Sequence, residues 1–242
     1  MTVPLNLLII AATGGLGSTI SRLAVCGGHN VSVLVRDASK VPTALGSMEK
    51  AITKVYTGDA SDPATVTDVL RDGKFDAAVL AVGAQAADTV KNVISSAAAV
   101  DPQPVVLTTG GSPALVMADG TTSVAGAFGG AGWAQGLADL HLGTTFAALE
   151  ASSLARWTMV CPGTMGPSPD GLPHGKHGWR PNVIEPAVAG DTYSYEDVAH
   201  AFLAVAADLV AGGQAYNKGK VAMVSPTAAS EAAADQNSKA DL

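Results

Sequence analysis

Apolar residues in this 242-residue chain gather into short runs, and the runs alternate with segments of helical spacing. Leu5–Ile10 has no polar alternation, as expected of a strand buried on both faces. Val31–Val35, Ile52–Tyr56, Ala77–Val82, Val105–Thr108, Trp157–Val160 and Lys220–Val224 predict six more strands. Between them the spacing predicts helices. Ser18–Cys26 stops at Gly27 and Gly28, and Val41–Met48 is a short one. Asp62 and Pro63 supply an N-cap and a first-turn proline for a helix to Arg71. Ala86–Ala99 and Leu137–Ser152 follow. Ser194 opens a last helix whose Val198, Ala201, Phe202, Val205 and Leu209 share one face. Gly110–Gly136 and Pro162–Asp191 carry no such period and are expected as long functional loops. Strand and helix in alternation predict an α/β fold, a doubly wound parallel sheet. With no repeat and no linker, residues 1–226 are expected to form a single domain with substrate loops at about 110–136 and 162–192. Residues 227–242 hold one large apolar residue and are expected to be a disordered tail.

Composition narrows the function classes. Hydrophobic residues make up 48% and charged ones 14%, which excludes a disordered chain. A net charge of −7 leaves no basic surplus for nucleic acid. No apolar run approaches the ~18 residues of a membrane span. The first ten residues have no basic n-region, so no secretory signal is expected. Cys26 and Cys161 are too few for a disulfide framework and suit a reducing compartment, so the expected location is cytoplasmic. The 44 alanines and 27 glycines point to closely packed backbones.

One close approach is legible. Ala11-Ala12-Thr13-Gly14-Gly15-Leu16-Gly17 follows a buried strand and opens a helix, the context in which a glycine turn holds a pyrophosphate. Ala12, Thr13, Gly14, Gly15, Leu16 and Gly17 are therefore candidate cofactor-binding residues. The alternative is a plain strand-to-helix turn. This turn resembles the Gly-x-x-Gly-x-x-Gly fingerprint of the extended and atypical short-chain dehydrogenase/reductase superfamily, with Ala11 in place of the first glycine. The resemblance implies an NAD(P)-binding Rossmann fold. Arg36, at the end of the second strand, suits a 2′-phosphate and favours NADP over NAD, with Lys40 as helper. Asp37 stands one position on, and a solvated surface arginine is the other reading. Asp59 and Ala60 resemble the superfamily segment in which an aspartate meets the adenine amino group. A turn or cap role is open for Asp59. Ala81, Val82 and Gly83, with Ala84, resemble the stretch beside the cofactor's central ribose.

The usual catalytic pair is missing. Familiar members carry Tyr-x-x-x-Lys on the helix after strand five, and Leu137–Thr145 has neither residue. Tyr216 to Lys220 has the spacing but lies before the last strand, outside that helix. A narrower resemblance covers most of residues 4–225. Val105–Ser112, Leu140-His141, Leu149–Leu154, Trp157–Gly163 and Tyr193–Ala199 are similar, in order, to the NmrA-like and flavin reductase (biliverdin reductase B)-like group. Members of that group reduce flavins, quinones and related conjugated acceptors, or bind NADP as sensors without turnover. The resemblance implies a nicotinamide held over Gly83, Thr108, Thr109, Pro162, Gly163 and Thr164. Thr109 and His141 are candidate catalytic residues, Thr109 to hydrogen-bond an acceptor and His141 to donate a proton or orient a water. A strand-end cap and a structural histidine are the alternatives. His174, Lys176, His177 and Arg180 form a basic cluster, either for an anionic substrate group or solvated. Trp133 and Trp179 either wall a substrate shelf or pin their loops. No metal site is expected. The expected activity is NAD(P)H-dependent reduction of a small conjugated substrate, with no nucleic-acid or membrane partner. A non-catalytic NADP sensor, which would need a protein partner, and a redox-neutral isomerase are the rivals.

Overall fold

The computed structural model describes residues 3–83, 86–117, 123–127, 132–167, 178–181, 183–184 and 192–224. The main sheet contains β1 (Asn6–Ile10), β2 (Asn30–Val35), β3 (Lys54–Thr57), β4 (Ala77–Leu80), β5 (Val105–Thr109), β7 (Trp157–Cys161), β9 (Gly178–Pro181) and β12 (Gly219–Val224). Short strands β6 (Val116–Met117) and β10 (Val183–Ile184) form one pair, and β8 (Thr164–Gly166) and β11 (Thr192–Ser194) another. The helices are α1 (Gly15–Cys26), α2 (Val41–Leu45), α3 (Pro63–Gly73), α4 (Ala87–Ala98), α5 (Val124–Ala127), α6 (Gly132–Leu140), α7 (Ala147–Glu150) and α8 (Tyr195–Val210).

Main-sheet order is β3-β2-β1-β4-β5-β7-β12-β9. Seven strands run parallel, and β9 closes one edge antiparallel to β12. This is the doubly wound Rossmann sheet, with its crossover reversal between β1 and β4. The central strands are apolar on both sides because both sides are covered. Leu8, Ile10, Leu80, Val106 and Met159 pack toward α3, α4 and α7. Leu7, Ile9, Val79, Leu107 and Val160 pack toward α1 and α8.

Three expectations change. The stretch expected as a loop from 162 to 191 contributes β8, β9 and β10, too short to show a period. Helix begins at Gly132, not Leu137, and its middle is a π turn, His141–Phe146, that joins α6 to α7. Residues 110–136 also contain a 3₁₀ turn at Ser112–Ala114, β6 and α5. The expected tail at 227–242 lies outside the described residues, as do Ala84, His174, Lys176 and His177 and the side chains of Trp133, Trp179 and Arg180.

The N-cap signals hold. Asp62 accepts from the Ala64 and Thr65 N–H groups. Ser194 accepts from the Asp197 N–H at 3.0 Å and starts α8. One face of α8 buries Val198, Phe202, Val205 and Leu209 in the core shared with α1. Ser194→Ala is expected to lower stability by about 1 kcal/mol, read from urea unfolding. An unchanged midpoint would show that tertiary packing alone sets the start of α8.

Candidate functional site

A cavity of about 440 Å³ opens at the carboxyl ends of β1, β2, β3 and β4, the edge where such sheets bind ligands. Its floor is the turn after β1. Ala11 there has φ of 65°, a left-handed conformation that glycine adopts freely and alanine does not. The Ala11 carbonyl accepts from the Gly14 N–H and closes the turn. Gly17 lies under it: a Cβ on Gly17 would sit 2.3 Å from the Ala11 oxygen. Ala11, Thr13 and Gly14 line the cavity, whereas Ala12, Leu16 and Gly17 are buried beneath the turn. Gly15 makes room for another element, because a Cβ there would meet the Tyr195 ring at 2.6 Å.

The start of α1 is left open for an anion. Gly14 offers no side-chain cap, and the first turn holds no acidic residue. By contrast α8 has the Ser194 cap with Glu196 and Asp197, and α4 has Asp88. Free N–H groups and the positive end of the helix dipole thus face the cavity, a fit for a pyrophosphate.

The far wall comes from β2, β3 and β4. Arg36 is exposed at the end of β2 and makes no hydrogen bond or ion pair among the described residues, although its charge is felt by Asp59. The Asp37 carboxylate is turned into its own loop, accepting from the Ser39 hydroxyl at 2.6 Å and the Ser39 N–H at 3.0 Å, with Lys40 Nζ at 4.0 Å. Those hydrogen bonds hold its pKa below the usual carboxylate value. Asp59 caps the Ser61 N–H at 2.8 Å, as the turn reading allows, and this bond lowers its pKa, helped by the nearby Arg36 charge. Asp59 lines the cavity while it fills this turn role. Ala60 and Val82 complete the wall, with Thr89 and Ala86 of the α4 start, which the sequence did not single out. Ala81 is half-buried and Gly83 exposed beside them.

The second half of the edge lies beyond this cavity. Thr108 and Thr109 point to opposite faces of β5. Thr109 faces α1 and α8, and its hydroxyl donates to the Leu80 carbonyl at 3.0 Å. That hydrogen is therefore committed to a strand-end cap, which corrects the expectation that Thr109 donates to an acceptor. Thr108 is buried on the other face with Oγ1 unpartnered among the described residues. Pro162 is buried, and its carbonyl accepts from Ser112 N–H at 2.8 Å, tying the loops after β5 and β7 together. Gly163 is half-buried, and Thr164 is exposed at the start of β8.

His141 reaches this edge from the π turn. A Cβ on Gly111 would lie 2.9 Å from its Nε2, so the second glycine after β5 is the space for the ring. Burial pushes its pKa below 6.5. Cys161 is no rival nucleophile, because burial pushes its thiol up to about 12. A second, shallower depression of about 480 Å³ lies between α4 and α7, lined by Lys91, Ala98, Ala148 and Ser152, away from the glycine turn. Among the described residues no group of three His, Cys, Asp or Glu is placed to hold a metal, and no helix is long and apolar enough to cross a membrane.

An uncapped helix start behind a glycine turn, at the reversal point of a doubly wound sheet, defines a dinucleotide-binding protein of the Rossmann type. The NAD(P)H-binding family model matches residues 11–209, and the chain belongs to that family. A comparison with curated proteins by sequence finds no match. Among solved structures, the fold is similar to an anaerobillin reductase from Escherichia coli O157:H7, with TM-score 0.61 and 21% identity over 91% of this chain and 97% of that one. It is also similar to a protein from Streptococcus pneumoniae TIGR4 provisionally described as an NADH-flavin reductase, with TM-score 0.63 and 23% identity over 91% and 99%. A wide-type short-chain dehydrogenase/reductase from Veillonella parvula, solved with NADP, gives TM-score 0.63 at 13% identity over 91% and 94%.

Two predictions follow from the turn and the ring. Ala11→Gly releases the left-handed strain and is expected to raise stability by roughly 0.5–1 kcal/mol, whereas Gly17→Ala is expected to lower it and to abolish dinucleotide binding. Thermal unfolding with and without NADPH reads both; a destabilised Ala11→Gly would show that the turn is not strained. For His141 the folded ring has the lowered pKa and the unfolded ring titrates at 6.5. The unfolded chain binds the extra proton, so this contribution is present above pH 6.5 and is lost as pH falls below it toward the folded value. His29 is shifted the same way. His141→Gln should therefore flatten part of the decline of the urea midpoint between pH 6.5 and about 5, above the range where carboxylate effects enter. A decline of unchanged slope would remove His141 as a source.

Proposed function

We propose that this protein uses NADPH to reduce a flat conjugated acceptor such as a flavin or quinone, without a Tyr-x-x-x-Lys pair. The observation that carries the reading is the cavity at the sheet edge. It begins at an uncapped helix start and ends where Arg36 is unpaired and the neighbouring Asp37 is held by Ser39. An acidic side chain at that place would select NAD through the ribose hydroxyls; here Asp37 Oδ1 is taken by Ser39, and Oδ2 faces Lys40 at 4.0 Å. Arg36, with Lys40 and the Ser39 loop, suits a 2′-phosphate.

The helix over 132–150 carries neither tyrosine nor lysine. That absence suits an acceptor that takes hydride into a conjugated system and draws its proton from solvent. Bound NADPH would supply the hydride, and one solvent proton completes the two-electron reduction. The chain's own part is to hold the dinucleotide along Thr13, Gly14, Arg36, Asp59 and Val82, and to keep the edge beside Gly111 and His141 open to a flat acceptor. The NADP-bound neighbour and the neighbours named for reduction of an anaerobillin and a flavin support this reading by analogy of fold. Free Cys26 and Cys161 suit a reducing, cytoplasmic setting. The partner is then a small molecule, and a protein partner is needed only if the chain is a sensor.

Purified protein with menadione or riboflavin should consume NADPH faster than NADH, followed at the reduced-nicotinamide absorbance. Arg36→Ala should weaken NADPH binding roughly 10- to 100-fold and leave NADH nearly unchanged. Tight NADPH binding without turnover across an acceptor panel would turn the reading to an NADP sensor. Failure to bind either nicotinamide would overturn both.

A further inference from the structure

Five buried side-chain atoms lack a hydrogen-bond partner among the described residues, and three of them are Thr108 Oγ1, His141 Nδ1 and Thr145 Oγ1. Their residues are 1%, 7% and 0% exposed. Thr108 lies on the same face of β5 as Val106, which packs with Met159, Cys161 and Leu149 in the layer of α4 and α7. His141 and Thr145 are four residues apart in the π turn, one wide helical turn, and both are buried, so they share its inner face. The helix returns from β5 toward the parallel strand β7, so it runs against the strand direction. Moving from His141, beside Gly111 at the sheet edge, to Thr145 therefore descends toward the level of Thr108. Leaving a buried donor or acceptor unpaired is costly. A single water satisfies two to four such groups. The turn is a π turn, which places its side chains differently from an α turn and is frequent at functional sites.

We propose that Thr108 Oγ1, Thr145 Oγ1 and His141 Nδ1 enclose a buried water that fixes the tautomer of His141, keeping Nε2–H as a neutral hydrogen-bond donor beside Gly111. The water donates to Nδ1 and to one threonine and accepts from the other. An imidazole whose Nδ1 accepts must carry its proton on Nε2, the nitrogen at the edge. Such a ring does not give up a proton. It polarises a carbonyl or ring nitrogen of the acceptor and stabilises the negative charge that arriving hydride leaves there, while the proton comes from solvent. His141 is then an electrophilic donor, and Thr145 is a positioning residue that acts through it. This catalytic use rests on the reductase reading; the water site and the tautomer do not.

The surroundings are consistent with a neutral ring. Cys161 keeps its thiol proton, and Lys220 Nζ is engaged by the Ala114 carbonyl at 2.9 Å and lies over the Phe146 ring. Asp88 and Lys91 of α4, and Asp139 and Glu150 on the helix of His141 itself, are exposed.

The test is an imidazole nitrogen spectrum of the full-length, histidine-labelled protein without cofactor, with His141→Gln assigning the signal among five histidines. The expected result is one Nε2–H tautomer, unchanged between about pH 5.5 and 8. Thr145→Val, close to isosteric but without the hydroxyl, should give mixed tautomers and a lower melting temperature, and Thr145→Ser should restore the single tautomer. With a working acceptor, Thr145→Val should lower kcat and leave the KM for NADPH nearly unchanged. A His141 that titrates near its ordinary value overturns the proposal, and so does a Thr145→Val protein with an unchanged spectrum and an equal or higher melting temperature. If Thr145→Val does not fold, the wild-type titration and Thr145→Ser still decide. A fixed tautomer in a protein that oxidises no NADPH supports the water site and sinks only the reductase reading.

Discussion

The contact between Gly17 and the carbonyl of Ala11 governs the sheet's binding edge. No side chain fits between them, since a Cβ would come within 2.3 Å of that oxygen. The approach lets α1 start directly behind β1, with its first N–H groups aimed into the cavity rather than along the sheet face. It also sets α1 close enough to α8 for Ile20, Phe202 and Val205 to share one core. Tyr195, at the head of α8, lies against Gly15 in turn. The two helices that cover this face of the sheet are thus referenced to the same few backbone atoms. A shift in the turn would move the open start of α1 and the α1–α8 seam together.

Ala11 shows what the turn requires. The position needs a left-handed backbone, and alanine adopts it at a penalty of about 1 kcal/mol or somewhat more. The alanine persists because its surroundings over-determine the conformation: its N–H bonds to Leu34 O, its carbonyl accepts from Gly14, and Gly17 lies beneath. The family fingerprint is therefore kept in geometry although one of its letters has changed.

The central strands and most helices were legible because their causes are local. A strand buried on both faces must read as an unbroken apolar run, and β1, β4 and β5 do. Asp62 and Ser194 carry their capping role in residue type and position. What was not legible depends on partners distant in sequence. β9 is four residues long and exists because β12 offers an edge, which no period announces. The π turn follows from how α6 and α7 meet the sheet, and no propensity marks it. Thr108 and Thr109 were indistinguishable as neighbours, although alternation along β5 already implied opposite faces. Register against Leu80 was needed to say which hydroxyl is used. Thr145 stands four residues after His141, but that both are buried follows only from how the π turn packs.

The two halves of the edge are built from different materials, and this bears on what can change between relatives. The half at β1–β4 is mostly backbone: a turn, a helix start and loop caps in which Asp37 and Asp59 accept from the N–H groups of Ser39 and Ser61. A backbone turn of this kind makes few demands on side-chain identity, and neighbours of the same fold share only 13–23% of their residues with this chain. The half at β5 and β7 depends on side chains held by tertiary packing: His141 in the space left by Gly111, Thr108 buried on β5, Pro162 tied to Ser112. A substitution there alters side-chain packing and leaves the backbone turn and helix start of the other half in place.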